Sequence, residues 1–254
     1  MVQENLITKD AKSIDEDEIL RFAALAGEWW RSDGPFSALH ALNVPRLTYI
    51  RDQLCQYHGR DIAGAKPLAG LRILDIGCGG GLIAEPLTRL GGEITAIDAG
   101  KETIAAAQLH AEQSGLSINY RQISAEKLAE EKDRFDCVLT LEVVEHVADL
   151  DGFLAASAML VRPGGMYIAA TINRTTASFA LAIVAAERIL RWLPPGTHRW
   201  AKFVRPSELV GPLRQNGVVM RDISGIRYDP LARTWSLGGS LSINYIACGQ
   251  KPKK

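Results

Sequence analysis

From residue 71 onward the apolar positions fall into short runs broken by helix-length stretches with a wider hydrophobic spacing. Runs at Arg72 to Ile76, Glu93 to Asp98, Ile118 to Gln122, Phe135 to Leu141 and Met166 to Thr171 have strand length. Between them lie predicted helices from Leu82, over Lys101 to Ser114 with Gly115 as stop, and over Asp149 to Leu160 before the Pro163-Gly164-Gly165 turn. Strands that alternate with helices predict an α/β domain built on a parallel sheet. Two later strands, Val218 to Ile223 and Asn244 to Gly249, follow a helix that opens near Pro206 and stops at Asn216-Gly217. The pattern predicts seven strands.

Ahead of this region, Ile19, Phe22, Ala26, Trp29 and Trp30 recur at helical spacing within Ile14 to Trp30, with acids clustered at the start, where a helix dipole favours them. A second helix is predicted to begin at Asn43-Val44-Pro45 and stop at Gly59, with Leu47, Ile50, Leu54 and Tyr57 on one face. Residues 60–69 read as a linker, which divides the chain into an N-terminal helical cap, 1–69, and a larger domain, 70–254. Residues 174–204 are too long for a simple connection. They contain an apolar stretch, Phe179 to Trp192, interrupted by Arg188 and Arg191 and followed by His198, Arg199, Lys202 and Arg205, with Glu187 as the single acid. This is an inserted, locally basic, amphipathic element.

The chemistry begins at Asp75-Ile76-Gly77-Cys78-Gly79-Gly80-Gly81, an acid and a glycine-rich loop after the first strand. Glycines at a strand-to-helix turn let backbone approach a nucleotide closely. Leu82 occupies the third glycine station of the dinucleotide fingerprint, and a carboxylate at Asp75 would repel a diphosphate. The sulfonium and ammonium of S-adenosylmethionine (SAM) would instead be attracted. Asp98, at the end of the second strand, can accept hydrogen bonds from both ribose hydroxyls. Asp75, Gly77, Gly79 and Asp98 are thus candidate SAM contacts, and an NAD-dependent oxidoreductase is the weaker alternative.

Ser124-Ala125-Glu126 follows the third strand, where side chains border an adenine, although a serine and glutamate before a helix are also an N-terminal signature. Leu141 ends the fourth strand at the same rim and would pack against adenosine. Glu142, Glu145 and His146 follow at helical i, i+3, i+4 spacing, which would put three ligand-type groups on one face. They read as a divalent metal site such as Mg²⁺, as a metal-free general base at His146 assisted by Glu142, or as a helix start. Arg46 could pair with the methionine carboxylate of SAM through its planar fork. Trp29, Trp30, Phe36 and His40 read as packing of the cap over the pocket.

Composition narrows the classes. Lysine plus arginine equals aspartate plus glutamate at 29 each, so no basic field argues for nucleic acid. The four cysteines, Cys55, Cys78, Cys137 and Cys248, lack C-x-x-C spacing, which argues against zinc and against a secreted disulfide framework. With no signal-like or membrane-spanning run, the expectation is a cytoplasmic protein, at most peripheral on the inner membrane.

Trp29-Trp30, Phe36, Leu39-His40, Asn43, Arg46, Tyr49-Ile50, Leu74 to Gly81, Asp98, Leu109-His110-Ala111, Glu142 to Val147, Leu160 to Gly165, Asn173-Arg174, Gly196-Thr197-His198, Lys202-Phe203, Glu208-Leu209 and Asn244-Tyr245 together resemble the ubiquinone-biosynthesis O-methyltransferase family. The glycine loop marks SAM-dependent methyltransferases in general, whereas the Leu-His-x-x-Asn run and the Gly-Thr-His insertion are more particular. The resemblance implies a Rossmann-like class I methyltransferase fold and SAM contacts at Arg46, Gly77, Asp98 and Leu141, with Glu142, Glu145 and His146 as the metal or base site. It also implies a polyprenylated phenol or quinol substrate (2-polyprenyl-6-hydroxyphenol or 3-demethylubiquinol), a ubiquinone-biosynthesis complex as partner, and a membrane surface met by the 174–204 insertion. Two positions depart from the family: Val44 separates Asn43 from the proline, and Asp229 stands where the family has asparagine before Pro230. From the residues alone, a C- or N-methyltransferase of another small molecule and a non-catalytic SAM-binding scaffold stay open.

Overall fold

The computed structural model describes residues 13–180, 200–229, 231–232 and 234–253. Strands β1 (Arg72–Ile76), β2 (Glu93–Asp98), β3 (Asn119–Gln122), β4 (Phe135–Leu141) and β5 (Val161–Ile172) run parallel. Three more, β6 (Val219–Asp229), β7 (Thr234–Leu237) and β8 (Asn244–Gln250), extend one edge with antiparallel pairing. The order is β3-β2-β1-β4-β5-β8-β6-β7, so the sheet has eight strands where the sequence pattern predicts seven. The additional strand is β7, four residues on the sheet edge with no buried position, too short to declare itself as an apolar run.

A parallel sheet buries both of its faces, which is why β4 is buried at every position. One core layer gathers Ile73, Leu139 and Ile168 with Ile50 and Leu54, and the other gathers Leu74, Val138 and Tyr167 with Leu154 and Leu209. Helices α3 (Ala84–Arg89), α4 (Lys101–Gln113), α5 (Ala125–Glu130), α6 (Leu150–Leu160) and α8 (Pro206–Gln215) complete the alternation, while α7 (Thr176–Ser178) is a single short turn. Strand order reverses between β1 and β4, and the crevice beyond the strand ends at such a switch point is where ligands bind in open α/β sheets.

Four boundaries differ from expectation. The first helix is shorter, α1 (Glu16–Ala23), followed by a separate 3-10 turn at Ala26–Glu28. Helix α2 spans Ser37–His58, so Asn43 is inside it and Pro45 interrupts its interior. An interior proline removes a hydrogen bond and costs ~3 kcal/mol or more. Here that cost is offset by burial, since Asn43, Pro45 and Arg46 are all enclosed against the core while Val44 faces outward. Arg46 is therefore aimed inward despite Val44 standing between Asn43 and the proline. The helix after the glycine loop starts at Ala84 rather than Leu82. Finally, Pro163-Gly164-Gly165 is absorbed into β5, where the register against β4 shifts between Phe135 and Cys137.

Asp229 also finds a role: its Oδ1 accepts from the amides of Leu231 at 2.9 Å and Ala232 at 3.1 Å, a turn that an asparagine oxygen would equally make. Most of the insertion, including Glu187, Arg188, Arg191, His198 and Arg199, lies outside the described residues. Of its flanking cations, Lys202 is paired with Asp15 at 2.5 Å and Arg174 with Glu208, so the acids absent from the local sequence come from elsewhere in the chain. Among the described residues no helix is long and apolar enough to cross a membrane.

Candidate active site

A cavity of about 730 Å³ opens at the switch point, walled by the ends of β1, β2 and β4, by α1 and α2, and by the β6–β7 hairpin. All of the candidate positions line it: Arg46 from the cap, Asp75, Gly77, Gly79 and Asp98 from the first two strand ends, Ser124, Ala125 and Glu126 from the third, and Leu141, Glu142, Glu145 and His146 from the fourth.

The glycine loop is shaped by backbone. Gly77 has φ +70, and a Cβ there would meet Val143 Cγ2 at 2.6 Å. Gly79 has φ +54, and its Cβ would strike the Trp29 ring at 2.5 Å. Only glycine allows this turn and this approach of indole to backbone. The cap is fastened to the same loop: Trp30 Nε1 donates to the Gly80 carbonyl at 2.8 Å and stacks on His110, while Trp29 stacks on Phe36 with centroids 3.8 Å apart. His40 Nε2 lies 2.8 Å from the Trp29 carbonyl.

Asp98 receives backbone N–H groups from Gly79 (3.2 Å) and Gly100 (2.8 Å), which fix its carboxylate at the β2 end. Burial nonetheless pushes its pKa up. Asp75 is 3% exposed, its Oδ2 has no partner among the described residues, and burial together with the neighbouring Asp98 pushes its pKa up to about 7. Two carboxylates held this close in low dielectric favour a cationic ligand. Ser124 is the N-cap of α5, accepting from the Lys127 amide at 3.3 Å, and Glu126 accepts from Ser13. These three residues thus fulfil the helix-start reading while also walling the cavity.

The acceptor end differs from the predicted helix face. Glu142, Glu145 and His146 sit on an irregular turn, Glu142 with φ +53, and α6 begins only at Leu150. Each takes its own partner. Glu142 pairs with the buried Arg46, Glu145 Oε2 accepts from Thr171 Oγ1 at 2.8 Å, and His146 Nδ1 lies 2.9 Å from Glu18 Oε2. A positive φ in a non-glycine residue is a strained conformation that clusters at functional sites. The Glu18 carboxyl is pushed up by burial, but its hydrogen bond to His146 and the charges of His146, Arg21 and Lys202 hold it below its ordinary value. Glu145 is pushed up to about 7 by burial and by Glu142, and its Oε1 is unbonded among the described residues. Among those residues no group of three or more His, Cys, Asp or Glu side chains is already gathered to hold a metal ion. Glu145 Oε1 is a free buried carboxylate oxygen of the kind a hard cation takes, while Glu142 is already paired with Arg46.

Sequence reading missed several lining residues. Thr103 and Ile123 belong to the cofactor half, and Ile226, Tyr228, Trp235, Ser242 and Asn244 to the far half. The far half is built by antiparallel strands remote from the nucleotide motif, so no local spacing marks it. Glu18 was visible only as one of a run of helix-start acids.

A family model for a methyltransferase domain matches residues 74–169. The ubiquinone biosynthesis O-methyltransferase of Sinorhizobium fredii (strain NBRC 101917 / NGR234) is 49% identical over 94% of this chain and 97% of its own length. Its namesake in Rhizobium etli (strain ATCC 51251 / DSM 11541 / JCM 21823 / NBRC 15573 / CFN 42) is 49% identical over 97% of this chain and 100% of its own. Among solved structures, magnesium protoporphyrin IX methyltransferase from Synechocystis PCC 6803 with bound SAH shares the fold at a TM-score of 0.60 and 15% identity, covering 93% of this chain and 94% of that one. The N-methyltransferase NodS from Bradyrhizobium japonicum WM9, also with S-adenosyl-L-homocysteine (SAH), does so at 0.57 and 17%, covering 93% and 98%. Identity at this level over nearly the whole chain, joined to a cavity that gathers the predicted cofactor and acceptor residues, means that the chain belongs to the ubiquinone biosynthesis O-methyltransferase family.

Proposed function

We propose that the chain transfers the SAM methyl group to a ring hydroxyl of polyprenylated phenol and catechol intermediates, 2-polyprenyl-6-hydroxyphenol and 3-demethylubiquinol, in ubiquinone biosynthesis. One observation carries this reading: a single cavity holds acids suited to a cationic donor beside a Glu142, Glu145 and His146 cluster suited to an acidic hydroxyl, and opens onto an apolar wall at Ile226, Tyr228 and Trp235. The phenolic oxygen attacks the methyl carbon, the carbon–sulfur bond breaks, and SAH leaves as a neutral thioether. Alignment of the two reactants supplies much of the acceleration.

The hydroxyl proton needs an acceptor. With Nδ1 of His146 donating to Glu18, the lone pair falls on Nε2, which serves as the base. Glu142, Glu145 and His146 are also the residues that would hold a divalent cation such as Mg²⁺, which when bound lowers the pKa of a hydroxyl. Arg46 is the partner for the methionine carboxylate. Residues 1–69 act as a cap on the domain formed by 70–254, and the basic 174–204 insertion brings the enzyme to the membrane surface and to other proteins of the pathway.

The direct test is labelled-methyl transfer from SAM to a demethylated quinol carrying a polyprenyl tail, with and without a chelator. Label in the ring-oxygen ether supports the assignment, and loss on chelation identifies the cation as the activating device. SAM binding with no transfer to any phenol would defeat it.

A further inference from the structure

Besides Thr103 Oγ1, Glu126 Oε2, Glu145 Oε1 and Asn244 Oδ1, three buried polar atoms of the cavity wall have no hydrogen-bond partner among the described residues, all on the N-terminal helices or the end of β1: Trp29 Nε1, Arg46 Nε and Asp75 Oδ2. Buried polar groups are almost always bonded, so orphans that line one cavity mark a ligand. Their chemistry is complementary as a set. Two are N–H donors and one is a carboxylate oxygen, which is what the carboxylate and ammonium of an α-amino acid require. The Trp29 residue is 7% exposed, Arg46 1% and Asp75 3%, so all three are built into the wall.

Trp29 is held where it stands. Its ring stacks on Phe36 at 3.8 Å, lies near-parallel to Phe22 at 6.2 Å, and rests on Gly79 and Gly80, either of which would collide with it if it carried a Cβ. Packing alone would be served by phenylalanine, which leaves no unbonded N–H to bury. The neighbouring Trp30 shows the contrast, since its own Nε1 is satisfied by the Gly80 carbonyl.

We infer that Trp29 is a cofactor-binding residue, its indole N–H donating to the carboxylate of the SAM amino-acid end together with Arg46, while Asp75 accepts from the ammonium. The inference rests on SAM as the methyl donor. It assigns the aromatic cap a polar task in addition to closing the pocket: the cap is completed by the ligand, and the ligand's amino-acid end is recognised by a residue outside the nucleotide-binding domain.

The test compares SAH with 5′-methylthioadenosine, which keeps the nucleoside and thioether but lacks the amino-acid end, by titration calorimetry on the wild type and on Trp29→Phe. A hydrogen bond to a charged group predicts that Trp29→Phe weakens SAH roughly tenfold or more and leaves methylthioadenosine unchanged. Equal weakening of both ligands, or of neither, overturns the inference. On the wild type, the indole Hε1 resonance of Trp29 should shift with SAH and hold still with methylthioadenosine, so the idea stays testable if the variant does not fold. A wild type that fails to bind SAH would sink the cofactor reading itself, which is a different outcome.

Discussion

Asp75 gives the sharpest test of how the site is arranged. Its carboxyl is fully enclosed, has no cationic partner among the described residues, and is pushed from an ordinary value of 3.8 up to about 7 by burial and by Asp98. A carboxyl with a raised folded-state pKa contributes stability that is complete below the unfolded pKa and is lost as pH climbs through the folded one. The window is therefore near pH 4 to near pH 7, with a ceiling of about 4 kcal/mol. Between about pH 6 and about pH 8 the remaining loss is about 1.4 kcal/mol, or roughly 3–6 °C in Tm for a chain of this size. Glu145 titrates in the same range and adds its own slope, so the measurement is a difference. Differential scanning fluorimetry of the ligand-free wild type and Asp75→Asn at both pH values should show the wild type losing that much more. With SAH the order reverses, because the ligand ammonium rewards the ionised carboxylate: the Tm gain should grow with pH in the wild type, until the ligand amine itself deprotonates, and stay flat in Asp75→Asn. Parallel slopes for the two proteins would refute the account of Asp75 as a strained acid awaiting a cation.

His146→Ala should lower turnover far more than SAH affinity, by roughly 100-fold or more for the loss of a general base, and an unchanged rate would remove it from the chemistry. Gly77→Ala should cost roughly 1–3 kcal/mol of stability from its left-handed backbone alone, with a further loss from the Val143 clash. Adding Val143→Ala should relieve the Cγ2 part of the clash and leave the 2.9 Å contact with the Val143 Cβ and the backbone portion, as chemical denaturation would resolve. Reversing the charges of Arg188 and Arg191 should weaken flotation with anionic vesicles, and undiminished flotation would sink the membrane role of the insertion.

The parallel half of the molecule was legible because its strands other than β3, which has one buried residue, are largely buried apolar runs beside a helix, and β1, β2 and β4 begin and end where the pattern places them. The edge strand β7 was not, since pairing with β6 rather than its own hydrophobicity keeps it in the sheet. Helix α2 was misplaced for a related reason: proline weighs against a helix locally, yet burial of its neighbours carries the helix through it. The acid pair Asp75 and Asp98 could be read in advance because strand ends at a parallel switch point have one destination. The acceptor cluster could only be half read, as its residues were identified but their common helical face was replaced by a strained turn with separate partners.

Residue order alone determined the α/β alternation, the glycine turn and the charge of the cofactor pocket, because these depend on short-range periodicity and on acids at fixed places along strands. Only the tertiary structure decided that Glu18 would hold His146, that Glu142 would meet Arg46, and that Trp29 would lie on the glycine loop with its N–H unbonded among the described residues. Those contacts join positions up to 128 residues apart. They follow from how the cap closes on the sheet, which local spacing does not encode.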